Sequence, residues 1–396
     1  MTPARRQVTD EERRSRLAWR HLLTPAARAE DPADVAASLV ALHATDPVTV
    51  YLGARARLRT SAPEDIERAL YVDRSVVRLL GMRRTMFVVP VELVAVVQAA
   101  CASAIATQQR TRLADHIVAG GVTDDGRAWL PAVEDATVAA LERLGEATAS
   151  ELGAAVPDLR RQFEVGIGTR WPATQSVASR LLVLLGLEGR IIRGRPRGSW
   201  ISTQYRWAPL TEWLGADVPA LDPAVAQVEL ARRWLGAFGP GTLADLRWWT
   251  GWTAGVAKAA LGGLAHVEVG LDGGATGLVL AEEDDPTPAA ETWVALLPAL
   301  DSTVMGWQGR DWYLGDHGPA LFDRNGNAGP TVWADGRIVG GWAQRRDGAI
   351  ALRFLEDTGA ATEAAVHDEA DRLMSWLGPV RFTPRFRTPL ERELSA

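Results

Sequence analysis

Between Pro131 and Pro209 the chain lays down three helix-length runs and then a basic two-stranded hairpin. The first run ends at Leu144. The second covers Glu146 to Val156, with Thr148 or Ser150 placed to cap it. The third runs from Thr174 to Gly186, where a glycine closes it. Arg190-Ile-Ile-Arg193, the turn segment Gly-Arg-Pro-Arg-Gly at 194–198, and Ser199 to Tyr205 then read as two short strands around an arginine-bearing tip. Three helices followed by such a hairpin predict a winged helix. Arg193, Arg195 and Arg197 on its wing suit a DNA groove, because a guanidinium fork reaches both phosphates and base edges.

The same order of elements recurs twice. Helices are expected over Asp10–Leu23, Ala33–Leu42, Val48–Leu58 and Ala62–Tyr71, then a hairpin of Val76–Leu80 and Met86–Pro90 whose basic turn carries Arg83 and Arg84. From Asp222 come helices to Leu235, over Thr242–Thr250 and over Ala254–Leu264, then short strands at His266–Gly270 and Gly277–Leu280. Asp31-Pro32, Asp46-Pro47 and Asp222-Pro223 each place a capping carboxylate before a proline at the first helical position. From Thr292 the runs become short and β-rich, with a hairpin at Thr331–Trp342 around Asp335-Gly336, followed by one amphipathic helix at Ala361–Trp376. The expected fold class is α+β: tandem winged-helix domains with a C-terminal β-barrel-like domain. The expected division is winged helix 1 at 1–90, a helical connector at 91–130, winged helix 2 at 131–210, winged helix 3 at 211–285, and a β-rich domain at 286–396.

Composition narrows the chemistry. The net charge is −6, yet arginines cluster at 5–20, 74–84 and 190–206, and it is such local stripes that mark DNA binding. No apolar run reaches the ~18 residues of a membrane span, and the Arg-rich N-terminus lacks a signal-peptide core. A cytoplasmic, nucleoid-associated protein with no membrane contact is expected. The single cysteine, Cys101, lies in an apolar run, reads as a small core residue, and leaves no cysteine set for a disulfide, a structural zinc or an iron–sulfur cluster. Lys258 is the only lysine and reads as a solvated helix position. Schiff-base chemistry needs an amine nucleophile, so base removal by this chain would use water. Most of the 16 tryptophans read as core. No cofactor and no metal ion are expected.

Several motifs, in order, resemble one family: the tandem winged-helix DNA glycosylases of the AlkZ/YcaQ type. Leu42-His-Ala-Thr-Asp-Pro47 falls where the family has a catalytic Gln-x-Gln or Gln-x-Asp motif. Met82-Arg-Arg-Thr-Met-Phe87 resembles its Met-Arg-Gly-Thr-Leu-His segment. Gly239-Pro-Gly-Thr-Leu-Ala-Asp245 with Trp249 and Gly251, Leu296-Leu-Pro-Ala-Leu-Asp301 with Gly306, and Asp335-Gly-Arg337 with Gly340 and Trp342 resemble later family segments. The resemblance implies a metal-free monofunctional glycosylase that binds double-stranded DNA as a monomer and hydrolyses the N-glycosidic bond of alkylated purines, including bulky or crosslinked N7 adducts. It places His43, Thr45 and Asp46 at the catalytic motif.

Both glutamine positions depart from the family: His43 and Thr45 replace them, and Phe87 replaces a histidine. His43 suits the task of orienting or deprotonating a water. Asp46 is both an expected helix cap and the natural electrostatic partner of an oxocarbenium ion, while Asp301 and Asp245 read first as structural. These departures keep a second reading open, a non-catalytic tandem winged-helix protein that regulates or recognises damage.

Overall fold

The Asp-Pro pairs open helices as the capping chemistry dictates. In the computed structural model, which describes residues 5–166 and 172–396, helices begin at Pro32, Pro47 and Pro223. Asp31, Asp46 and Asp222 each accept the backbone N–H two residues on, at 2.7, 3.3 and 2.7 Å. Thr148 likewise forms a reciprocal capping box with Glu151, which fixes the start of helix Ala149–Ala155.

In chain order the strands are β1 (Gln7–Val8), β2 (Leu42–His43), β3 (Val76–Leu80), β4 (Met86–Pro90), β5 (Ala147–Thr148), β6 (Gln162–Val165), β7 (Ala173–Ser176), β8 (Ile191–Pro196) and β9 (Tyr205–Pro209). They continue with β10 (His266–Leu271), β11 (Thr276–Leu280), β12 (Val294–Leu297), β13 (Thr331–Ala334), β14 (Arg337–Gln344) and β15 (Ile350–Phe354). Small sheets of order β1-β10-β11, β2-β4-β3 and β5-β9-β8 accompany the helices, with β6-β7 as a separate ribbon. The result is a mixed α+β chain. It divides into two compact units, one made of residues up to Val76, Val88–Val91 and Gln227–Ala396, the other of Val77–Phe87 and Glu92–Ala226.

Several local expectations shift. Thr174–Ser176 is strand, not helix: it pairs with β6, and the helix starts at Val177 under a Ser176 cap. The second strand after the arginine-rich turn is Tyr205–Pro209, not Ser199–Tyr205. The β8–β9 register breaks between Arg193 and Pro196, and Ser199–Gln204 forms the loop beyond that break. The segment Val91–Ala119 is, by length and composition, long and apolar enough to cross a membrane, contrary to the expectation that no run is. Its helix Ser103–Ala119 packs instead against helices Gly126–Leu144 and Val177–Leu187, and its apolar residues supply core.

Within the first unit, β1 pairs parallel with β10, a pairing that no local pattern announces. Helix Asp10–Arg20 follows it, and the Arg20 guanidinium donates to the Gly239 carbonyl and pairs with Glu283. The C-terminal region is an open antiparallel sheet of order β12-β13-β14-β15, not a closed barrel. Helix Ala360–Leu377 packs on β12 and β15. Trp333 and Trp342 are fully buried there, with Trp333 stacked on Tyr313 at 5.3 Å and the Trp342 indole N–H donating to the Leu297 carbonyl. A buried indole that also places its N–H fixes a layer more sharply than an aliphatic side chain does.

Candidate active site and basic surfaces

His43 sits in β2 and is 5 % exposed. Its backbone N–H donates to Ser302 Oγ at 3.1 Å, and the Ser302 hydroxyl donates to the Ala41 carbonyl at 2.8 Å. The Thr49 hydroxyl donates to the Ala299 carbonyl at 2.7 Å. Two motifs far apart in sequence, 42–47 and 296–301, are thereby sewn together. Thr45 is half-buried beside them. Asp46 is 6 % exposed and serves two backbone donors: Val48 N–H at one oxygen, Arg385 N–H at the other, 2.8 Å away. Cap and site member are therefore compatible roles, because Val48 N–H and Arg385 N–H are backbone amides on the two separate oxygens of the carboxylate.

Beneath this loop lies a buried charge cluster for which sequence gave only one half, Asp301. The Arg57 and Asp301 side chains are 0 and 1 % exposed and pair bidentately at 2.7 and 3.0 Å. The remaining Arg57 N–H groups donate to the His21 carbonyl, the Gly53 carbonyl and Thr303 Oγ1. All five guanidinium donors are used, which is the condition under which a buried ion pair offsets its desolvation. A hydrogen-bond chain continues from it. Thr303 Oγ1 accepts from Arg57, so its hydroxyl proton points to His21 Nδ1 at 2.8 Å. His21 Nε2–H then donates to the Ala237 carbonyl at 3.1 Å. This order fixes one neutral tautomer of His21. Burial, then the charge of Arg57, pushes the imidazole down from 6.5 to about 3. Asp301 is thus a structural anchor under the motif, not a group facing a cleft.

Asp245 is structural too. It closes a capping box with Thr242, and its other oxygen accepts Gln308 and Gly309 N–H groups. Phe87 is buried strand core, and Lys258 is exposed on helix Ala254–Gly262. Among the described residues no group of three or more His, Cys, Asp or Glu is placed to hold a metal ion.

The five arginines singled out in sequence all belong to the second unit. Arg83 and Arg84 form the centre of the β3–β4 turn, with φ of 53° and 57°. Thr85 N–H donates to the Met82 carbonyl across them. Two consecutive left-handed residues make a type I′ turn, which favours Asn-Gly and costs about 1–2 kcal/mol per bulkier residue. Arg84 occupies the place of a glycine in the motif it resembles, so this chain carries that strain to hold a guanidinium there. On the longer hairpin, Arg195 and Arg197 are exposed, whereas Arg193 is half-buried with its guanidinium 5.4 Å from the Tyr205 ring and 5.1 Å from the Trp207 ring. Arg193, Arg197, Tyr205, Trp207, Thr148 and Ser150 line a cavity of about 410 Å³. The sequence pattern missed Arg78, buried with its guanidinium 4.9 Å from the other neighbour of this cluster, the Tyr205 ring.

A mixed α+β chain with arginine-tipped hairpins and a buried His-x-Thr-Asp loop has the parts of an enzyme that works on DNA. Residues 36–376 match the family model described as DNA glycosylase AlkZ-like. With that span covering most of its length, the chain belongs to the AlkZ-like DNA glycosylase family. Its fold is similar to that of the Streptomyces sahachiroi DNA glycosylase AlkZ, with a TM-score of 0.73 at 20 % identity, over 93 % of this chain and 97 % of that one. No curated protein matches the chain in sequence.

Proposed function

We propose that this glycosylase hydrolyses the N-glycosidic bond of N7-alkylated purines, bulky or crosslinked adducts included, in double-stranded DNA. It acts as a cytoplasmic, nucleoid-associated monomer, with its helix-and-hairpin modules serving as tandem winged helices. The observation that carries this reading is the 43–46 loop: a histidine, a hydroxyl and a carboxylate held in one short segment that is anchored on Ser302 and Arg385.

The chemistry asks little of the protein. An N7-alkylated purine is already cationic and leaves as a neutral base, so the enzyme's task is to place a water and to stabilise the sugar cation. His43 accepts the proton of that water as it attacks C1′. Thr45 orients the water through its hydroxyl. Asp46, its carboxylate held by two amides, stabilises the developing oxocarbenium ion electrostatically. Arg83, Arg84, Arg193, Arg195 and Arg197 contact phosphates, which position the duplex without reading its sequence.

The test is single-turnover incubation with a duplex carrying one N7-methylguanine, followed by alkaline cleavage of abasic sites. His43→Ala is expected to lose about 10²–10⁴ in rate with duplex affinity unchanged. His43→Gln, which restores the residue type of the resembled motif, is expected to retain excision. Unchanged excision in His43→Ala would sink the assignment of the base.

A further inference from the structure

The second unit holds a small cavity of about 110 Å³ whose lining includes Arg84, Gln109, Arg112, His116, Arg180 and Leu184. Three arginines and a histidine line it, with Arg84 and Arg112 exposed and Arg180 and His116 half-buried, and none of the lining residues is acidic. Its surroundings show that this is not the usual fate of an arginine here. Arg110, on the same helix as Arg112, is neutralised by Glu134 and Glu188, and Arg190 by Glu134 and Asp135. Among the described residues, Arg84, Arg112 and Arg180 take part in no ion pair. Arg84 is held by the Gln109 side-chain oxygen at 2.9 Å, and Arg180 by that of Gln175. Burial, and then the charge of Arg84, pushes the Arg180 guanidinium down from its ordinary value. Like charges are thus gathered, and two of the three, Arg84 and Arg180, are oriented by neutral amides in place of carboxylates.

Backbone conformation supplies a separate observation. Arg84 is delivered by a turn whose two central residues both have left-handed φ, a geometry that glycine adopts without strain. The volume lies well under the ~300–1,000 Å³ of an ordinary organic-ligand pocket. Tetrahedral anions fit such a place, since several fixed N–H donors and unneutralised positive charge are what a phosphate needs.

We propose that Arg84, Arg112, Arg180 and His116 form a phosphate-binding site. Its ligand is a phosphate group, carried either by the DNA backbone or by a free phosphorylated small molecule. The backbone-phosphate arm deepens the phosphate contact proposed above for Arg84 and rests on that reading, whereas binding of inorganic phosphate is tested without DNA and without chemistry at His43.

Two measurements on the full chain test it, using wild type, the Arg112→Gln/Arg180→Gln double variant, and Arg143→Gln as an exposed control. Millimolar inorganic phosphate, against chloride at equal ionic strength, is expected to raise the melting temperature of wild type and control by a few degrees and to leave the double variant unmoved. Undamaged-duplex binding across a salt series is expected to show the double variant's slope of log K against log salt reduced by about one unit, uniformly across sequences. Both effects together assign the site to a backbone phosphate. Phosphate stabilisation with an unchanged slope assigns it to a free phosphorylated ligand. Equal phosphate response in wild type and double variant, or none in either, overturns the proposal, even if the wild type binds duplex well.

Discussion

Acidification between pH 7.5 and 5 is expected to weaken the fold through His21, a group remote from any surface. The folded imidazole titrates at about 3, against an ordinary 6.5. Below 6.5 the unfolded chain takes up a proton that the folded chain refuses, so stability falls as pH falls through that window. The slope is about 1.4 kcal/mol per pH unit, and the loss accumulated by pH 5 is about 2 kcal/mol. The structural cause is burial first and the charge of Arg57 second, in a pocket where the Thr303 hydroxyl already donates to Nδ1. Urea denaturation at several pH values, on wild type and His21→Gln, separates this contribution from every other titrating group, because those groups are common to both proteins. The variant starts less stable at pH 7.5, and its loss on acidification is expected to be smaller by about 2 kcal/mol. Parallel stability–pH curves for the two proteins would refute the assignment of a neutral, single-tautomer His21.

Further expectations concern the buried pair and the hairpins. Asp301→Ala strands the Arg57 charge with two of its donors unmet, and is expected to cost about 3–5 kcal/mol in urea denaturation; a loss below about 1 kcal/mol would show that water replaces the carboxylate. Arg84→Gly relieves left-handed strain and is expected to stabilise by about 0.5–1 kcal/mol while weakening duplex binding. Equal or lower stability would mean that the Gln109 contact outweighs the backbone cost. Replacing Arg193, Arg195 and Arg197 together is expected to weaken duplex binding and flatten its salt dependence; an unaltered slope would move the backbone contact elsewhere.

Where chemistry is local, the sequence was readable. The β3–β4 hairpin, the Thr331–Trp342 hairpin and the Asp-Pro helix starts follow from turn and capping rules that act over a few residues. The Asp46-Pro47 helix start was readable for the same reason, whereas the catalytic reading of residues 43–46 came from the family resemblance. What holds that loop was not readable. Ser302 under His43, and Arg57 paired with Asp301 at a separation of 244 residues, are choices made by tertiary packing and leave no periodic trace. The misplaced β9 has a comparable cause: Ser199–Tyr205 has strand-like composition, but the register break after Arg193 moves pairing on to Tyr205–Pro209. A continuous sheet, not a closed barrel, follows β12 to β15, because strand number and alternation do not report closure.

The parallel pairing of β1 with β10 also orders events during synthesis. Asp10 N–H finds its acceptor, the Asp272 carboxylate, 262 residues further along the chain. At about 5–20 residues per second, the ribosome needs roughly 13–50 s to supply that partner, time enough for the intervening second unit to be complete. The β1 segment is therefore synthesised well before the strand it pairs with. The helix at Asp10–Arg20, whose arginines Arg13 and Arg16 are buried in the folded protein, waits through that interval for its partners, and a deletion removing residues 5–20 is expected to injure the distant 266–280 hairpin more than its sequence neighbours.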